Sequence, residues 1–157
     1  MSYYIPKIWA DIIARLKSDT SLTALVPSIF YDRQPNNATL PLINVNLASI
    51  TPGDSFTDFR DLVQFDVHLW MEREGFALDG GDPFNTAATT LERILGDWVE
   101  QTGRVPTYGI EHWQPTLTGT GYNSTWVTRS SGPMEEHNED TLHWIFSFQT
   151  YISKATP

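Results

Sequence analysis

The sequence predicts an α+β fold: an antiparallel sheet of four to five strands with two helices packed on one face, in the order α-β-β-β-α-β-β. Three observations carry that prediction. Apolar residues recur at helical spacing in two segments, residues 5–16 and 84–98. Apolar and polar residues alternate with period two at 62–71 and 142–152. Turn-forming clusters join consecutive strands, which favours antiparallel neighbours.

The first helix is read from Ile5, Ile8, Trp9, Ile12, Ile13 and Leu16, which form one apolar stripe, with Pro6 suited to the first turn. Lys7, Asp11 and Arg15 lie four apart with alternating sign, as on a solvated face. Ser18 to Ser21 breaks the helix, and Leu22, Leu25 and Val26 add one helical turn before Pro27 stops it. Residues 29–33 read as a short strand closed by the turn residues Gln34-Pro35-Asn36-Asn37. The second strand, 42–48, carries Ile43, Val45 and Leu47 on one face and Asn44 and Asn46 on the other. Residues 51–61 read as an exposed acidic connection with Asp54, Asp58 and Asp61.

The third strand, 62–71, sets Val63, Phe65, Val67 and Leu69 against Gln64, Asp66, His68 and Trp70. Asp82-Pro83 opens the second helix as N-cap and first-turn residue, and Phe84, Ala87, Ala88, Leu91, Ile94, Leu95 and Trp98 trace its stripe. Gly103 is expected to close it. A strand follows at 109–118 with Trp113 and Leu117 inward, then a long polar hairpin or loop at 119–140. In the last strand Leu142, Trp144, Phe146, Phe148 and Ile152 share one side, and His143, Ser147, Gln149 and Tyr151 the other.

The 157 residues suit one domain, 1–157, and hydrophobic residues at 40% mark a folding chain rather than a disordered one. With no cysteine, disulfides, thiolate metal sites and cysteine nucleophiles are excluded. No apolar run approaches the roughly 18–20 residues that span a bilayer, and the N-terminus lacks a signal-peptide pattern, so no membrane partner is expected. The formal charge is −9 and the ten basic residues are scattered, whereas a phosphate-gripping protein concentrates them. An acidic surface that lets DNA pass without specific binding fits this composition.

No catalytic residues and no cofactor are expected. His68 and His143 lie on the second faces of two strands that can neighbour each other, and a metal there would need a third ligand such as Asp66 or Glu111. No chelating spacing supports it, so half-exposed sheet histidines are the plainer reading. Glu135, Glu136, Glu139 and Asp140 lack the spacing of a calcium loop. A small metal-dependent hydrolase is therefore only a distant alternative. Trp70 and Tyr151 on the second sheet face, and Trp126 in a polar segment, are candidate interface aromatics.

The opening helix, Leu-x-x-Leu-Val-Pro at 22–27, Ile-Phe-Tyr-Asp-x-x-Pro at 29–35, Leu-Pro-Leu-Ile at 40–43 and Val-Gln-Phe-Asp-Val at 63–67 resemble the tail-completion family of long-tailed phages, which includes siphophage tail terminators. The chain departs from that pattern at 111–140, which is longer and more polar. The resemblance implies a virion protein at the head-proximal end of the tail: a ring, commonly a hexamer, that caps the tail tube and meets the head connector. A neck protein of similar fold is the alternative. It implies no enzyme activity. In such a ring Asp54, Asp58, Asp61, Glu135, Glu136, Glu139 and Asp140 are the candidates to face an acidic channel.

Overall fold

The computed structural model describes residues 4–32, 39–53, 60–72, 83–96, 106–137 and 141–155. Helix α1 (Ile5–Ser18) begins with Pro6 in its first turn and ends with Arg15 and Lys17, whose charges suit the negative end of the helix dipole. Asp19 then caps α2 (Thr20–Leu25) by accepting the Ser21 N–H at 3.1 Å. Strands β1 (Ser28–Tyr31), β2 (Leu42–Pro52) and β3 (Arg60–Glu72) follow, then α3 (Pro83–Leu95), β4 (Tyr122–Ser124), β5 (Thr128–His137) and β6 (Thr141–Lys154).

Among the described residues the sheet has six strands, in the order β1-β2-β3-β6-β4, with β5 also paired to β6. All described pairings are antiparallel except β1 with β2, which is parallel from Ser28↔Leu42 to Tyr31↔Val45. Strands β1 and β2 therefore run in the same direction and are not the two arms of a hairpin. Strands β3 and β6 form the centre, paired from Arg60↔Ser153 to Glu72↔Thr141.

Period-two alternation in β3 is complete: Val63, Phe65, Val67 and Leu69 are buried, while Gln64, Asp66, His68 and Trp70 are half-buried on the other face. The buried row joins Phe146 and Phe148 of β6, Ile8, Ile12 and Leu16 of α1, Leu22 of α2, and Ala87 and Ile94 of α3 in one core. Phe65 stacks on its register partner Phe148 at 5.6 Å and meets Trp9 edge-on at 6.0 Å. Both α1 and α3 contribute to that core. Asp19 and Arg93 tie the helical layer together, with Arg93 Nε donating to Oδ2 at 2.8 Å and Nη2 to Oδ1 at 2.5 Å. The Arg93 guanidinium also lies 3.4 Å from the Tyr108 ring centre.

Several expectations are corrected. Asp11 and Arg15 do not lie on a solvated face. Asp11 is buried, pairs with Lys7 at 2.9 Å and accepts the Leu117 N–H at 3.1 Å, while Arg15 donates to the Gly109 and Pro106 carbonyls at 2.8 and 2.7 Å. These bonds strap residues 106–121 across the helix as an irregular segment, so 109–118 is not a strand. His112 and Leu117 adopt positive φ there, which interrupts any ladder, although Leu117 is buried and Trp113 packs on the core as expected. Helix α3 stops at Gly96, whose φ of +111° serves the helix end, rather than running to Gly103. Ala88 is exposed; Phe84, Trp98, Asp82 and Gly103 lie outside the described side chains. Strand β2 continues through a bulge between Leu47 and Ser49, and Leu47 is 39% exposed because β1 flanks β2 only as far as Val45. Finally, the polar stretch 119–140 contains two strands, β4 and β5, each laid along a different part of β6.

Candidate functional site

Among the described residues, the second face of the sheet carries no helix residue of the core and presents a polar row. Ser49 donates to Gln64 Oε1 at 2.8 Å, and Ser147 to Asp66 Oδ1 at 2.6 Å. The structure brings the two predicted histidines together: His68 Nδ1 lies 2.9 Å from His143 Nε2, and His143 Nδ1 lies 3.0 Å from Glu136 Oε2 on β5. Trp70, directly opposite His143 in register, stacks on it with ring centres 3.5 Å apart and planes 10° from parallel. Burial, and then the neighbouring His143, hold His68 below its ordinary pKa, which favours the neutral ring; Asp66 and Glu136 act in the opposite sense. His143 Nδ1–H donates to the Glu136 carboxylate and His143 Nε2 accepts from His68 Nδ1–H, an arrangement in which one tautomer of each ring satisfies the chain of bonds. Among the described residues no group of three His, Asp or Glu could hold a metal ion, and Asp66 is engaged by Ser147 instead.

At one lateral end of the sheet, the gap between β4 and β5 forms an open cleft of about 550 Å³ walled by Trp126 and Tyr151 with Gln114, Thr128 and Gln149. Thr125 fixes this corner: its N–H donates to the Tyr151 carbonyl at 2.9 Å, and its hydroxyl accepts the Tyr151 N–H at 2.9 Å. Trp126 is 47% exposed and Tyr151 40% exposed, and the Arg60 guanidinium lies 5.5 Å from the Tyr151 ring centre. Trp70 shares the polar face with Tyr151 but lies at the other end of the strands, half-buried against His143, so the three aromatics do not form one patch.

At the opposite end, Pro6, Trp9, Ala10 and Ile13 of α1 and Tyr31 of β1 enclose an apolar recess of about 380 Å³. Trp9 stacks on Tyr31 at 4.8 Å, making its floor rigid. Sequence reading missed this recess. The available signal was Pro6 and Ala10, four apart and next to Ile13 of the core stripe, which widen the apolar side of α1 beyond what the core covers.

The acidic candidates separate. Asp61 is no part of an exposed connection: it is a β3 residue, 5% exposed, and accepts the Tyr4 hydroxyl, because the register with β6 starts at Arg60. Glu135 and Glu136 are exposed on β5. Asp54, Asp58, Glu139 and Asp140 lie outside the described residues.

Residues 10–93, more than half of the chain, match the family model described as Tail completion protein gp17. A chain of the solved structure described as "Virion of native gene transfer agent (GTA) particle" shares the fold, with a TM-score of 0.58 at 15% identity. The alignment covers 98% of this chain and 99% of that one. No curated protein matches.

Proposed function

Because the chain belongs to the tail completion protein gp17 family, we propose that it closes the finished tail tube as a ring, commonly of six copies, and offers the surface on which the head connector docks. At the coarser level the chain is a structural virion protein of the tail region, related to tail-completion and terminator proteins, and not an enzyme. The observation that carries the finer reading is the family match across the α1-to-α3 half, in a fold whose two sheet ends expose different apolar surfaces. A closed ring needs two dissimilar, complementary surfaces on each copy, since head-to-tail contacts close only by rotation.

The proposed action is by shape and field rather than chemistry. Each copy brings a formal charge of −9, so a ring surrounds its channel with carboxylates that keep DNA phosphates from adhering in transit. Glu135 and Glu136, exposed on β5, are the described residues proposed for that surface; Asp54, Asp58, Glu139 and Asp140 are proposed for it from sequence. Trp70, Trp126 and Tyr151 are proposed contacts with neighbouring copies, the tube or the connector.

Purified protein mixed with tails that lack their cap, then imaged by electron microscopy, tests this. Density is expected at the tube end alone, followed by competence to join filled heads. Attachment to filled heads in the absence of tails would instead favour a neck protein.

A further inference from the structure

The exposed large hydrophobic side chains are not scattered over the sheet. Among the described residues they are Tyr31 and Leu47 on β1 and β2, and Trp126, Met134 and Tyr151 on β5, β6 and the segment between β4 and β5. The central strand β3 contributes none. Tyr31 and Met134 lie on the outer strands and Trp126 on the segment between β4 and β5. Leu47 and Tyr151 lie one strand in, where β1 stops at Val45 and β4 and β5 leave a gap along β6. A monomer has no use for two apolar ends, and exposed apolar surface of this kind marks interaction sites.

The two ends differ in shape. One presents the apolar recess of about 380 Å³ formed by Pro6, Trp9, Ala10, Ile13 and Tyr31. The other presents Trp126, 47% exposed, held in position by the Thr125 bonds to Tyr151. Each end also offers counter-charges to the other. Exposed Asp32 directly follows Tyr31 of the recess, while the Arg60 guanidinium lies 5.5 Å from the Tyr151 ring centre. Lys7, also at the recess end, is already paired with Asp11.

From this we propose that the joint between successive copies seats Trp126 of one copy in the Pro6–Ala10–Ile13–Tyr31 recess of the next, with Arg60 facing the next copy's Asp32. The inference rests on the ring reading above and adds the location of its interface. A joint of this kind is heterologous: the recess of each copy receives the indole of one neighbour, and its own indole enters the other. A buried tryptophan at the centre of such a contact carries a large share of its energy.

The test uses the full chain, with ring formation followed by mass photometry both alone and on tail tubes. Trp126→Ala removes the indole, and Ala10→Glu fills the recess with a charge. Both positions are exposed, and circular dichroism with thermal melting checks that each variant folds as the parent does. Each variant is expected to need at least about thirtyfold more protein to form rings, the loss typical of an interface hot spot. Mixed together, the two variants retain one good recess and one good indole, so they are expected to form a 1:1 dimer that cannot close. Rings from either variant at the parent's concentration would overturn this joint while leaving the ring intact. A parent chain that stays single on tubes and off them would overturn joint and ring together.

Discussion

Replacing Asp19 with alanine removes two things at once: the N-cap of α2 and the carboxylate that holds Arg93 of α3. The cap is worth about 1 kcal/mol. Bonds to a charged group contribute roughly 1.5–3 kcal/mol. The abandoned guanidinium keeps some water contact, with 24% of its side chain exposed, and stays over Tyr108, so the full penalty of about 3–5 kcal/mol for breaking a buried pair does not apply. Asp19→Ala is expected to cost about 3 kcal/mol, which lowers the melting temperature by about 6–12 °C for a chain of this size. Arg93→Ala keeps the cap but loses the Tyr108 contact, about 0.5–2 kcal/mol, and strands a buried carboxylate. Its cost should equal or exceed that of Asp19→Ala. Urea melts of both single variants and the double variant, followed by tryptophan fluorescence, measure the coupling, expected near about 2 kcal/mol. Burial raises the Asp19 pKa, but the Arg93 bond and charge and the Leu22 and Ser21 amides outweigh it, so the net shift is downward. A lowered carboxylate pKa gives stability that is present above the ordinary value of 3.8 and lost as pH falls through the folded one. The parent's advantage over Asp19→Ala should therefore shrink in that acid range. Additive single-variant losses, with coupling below about 0.5 kcal/mol, would refute the clamp.

Three further outcomes are expected. His68 is held below its ordinary value of 6.5, so the unfolded chain takes up more protons than the folded one below that pH, and stability falls as pH drops from there. Urea midpoints at a series of pH values should show this slope, and His68→Leu should flatten it. Gly109→Ala adds a Cβ 2.3 Å from the Gly96 nitrogen at a φ of +77°; a loss of about 2 kcal/mol or more is expected in thermal melts, because neither backbone can yield cheaply. Tyr4→Phe takes the hydroxyl donor from the buried Asp61 carboxyl and should cost about 1–3 kcal/mol by the same assay.

The fold was legible where burial is one-sided and continuous. Strand β3 and helix α1 carry unbroken apolar periods because each buries one face along its whole length, and β6 does so for most of its length. Strands β4 and β5 were not legible: β5 is exposed along nearly all of its residues, so no apolar period marks it, and its pairing comes from the backbone of β6. The parallel start of the sheet was hidden for a related reason. Turn chemistry at 34–37 reports only that the chain turns, whereas the direction of return is set by the β2 register with β1. Charge spacing misled on α1, since alternating Lys7, Asp11 and Arg15 look solvated until a distant segment donates to Asp11 and accepts from Arg15. Of the interface aromatics, sequence position identified Trp126 and Tyr151 as exposed, but their being neighbours depends on Thr125 and the β6 edge. The pairing of His68 with His143 was foreseeable as two facing strands, and the diagonal register that joins them was not.

The most direct measurement is the mass of the particle this chain forms on purified, uncapped tail tubes. Tube capping predicts a closed ring of several copies, commonly six, at one end of each tube, competent for head joining. Single copies spread along the tube, or no retention by tubes at any concentration, would contradict it.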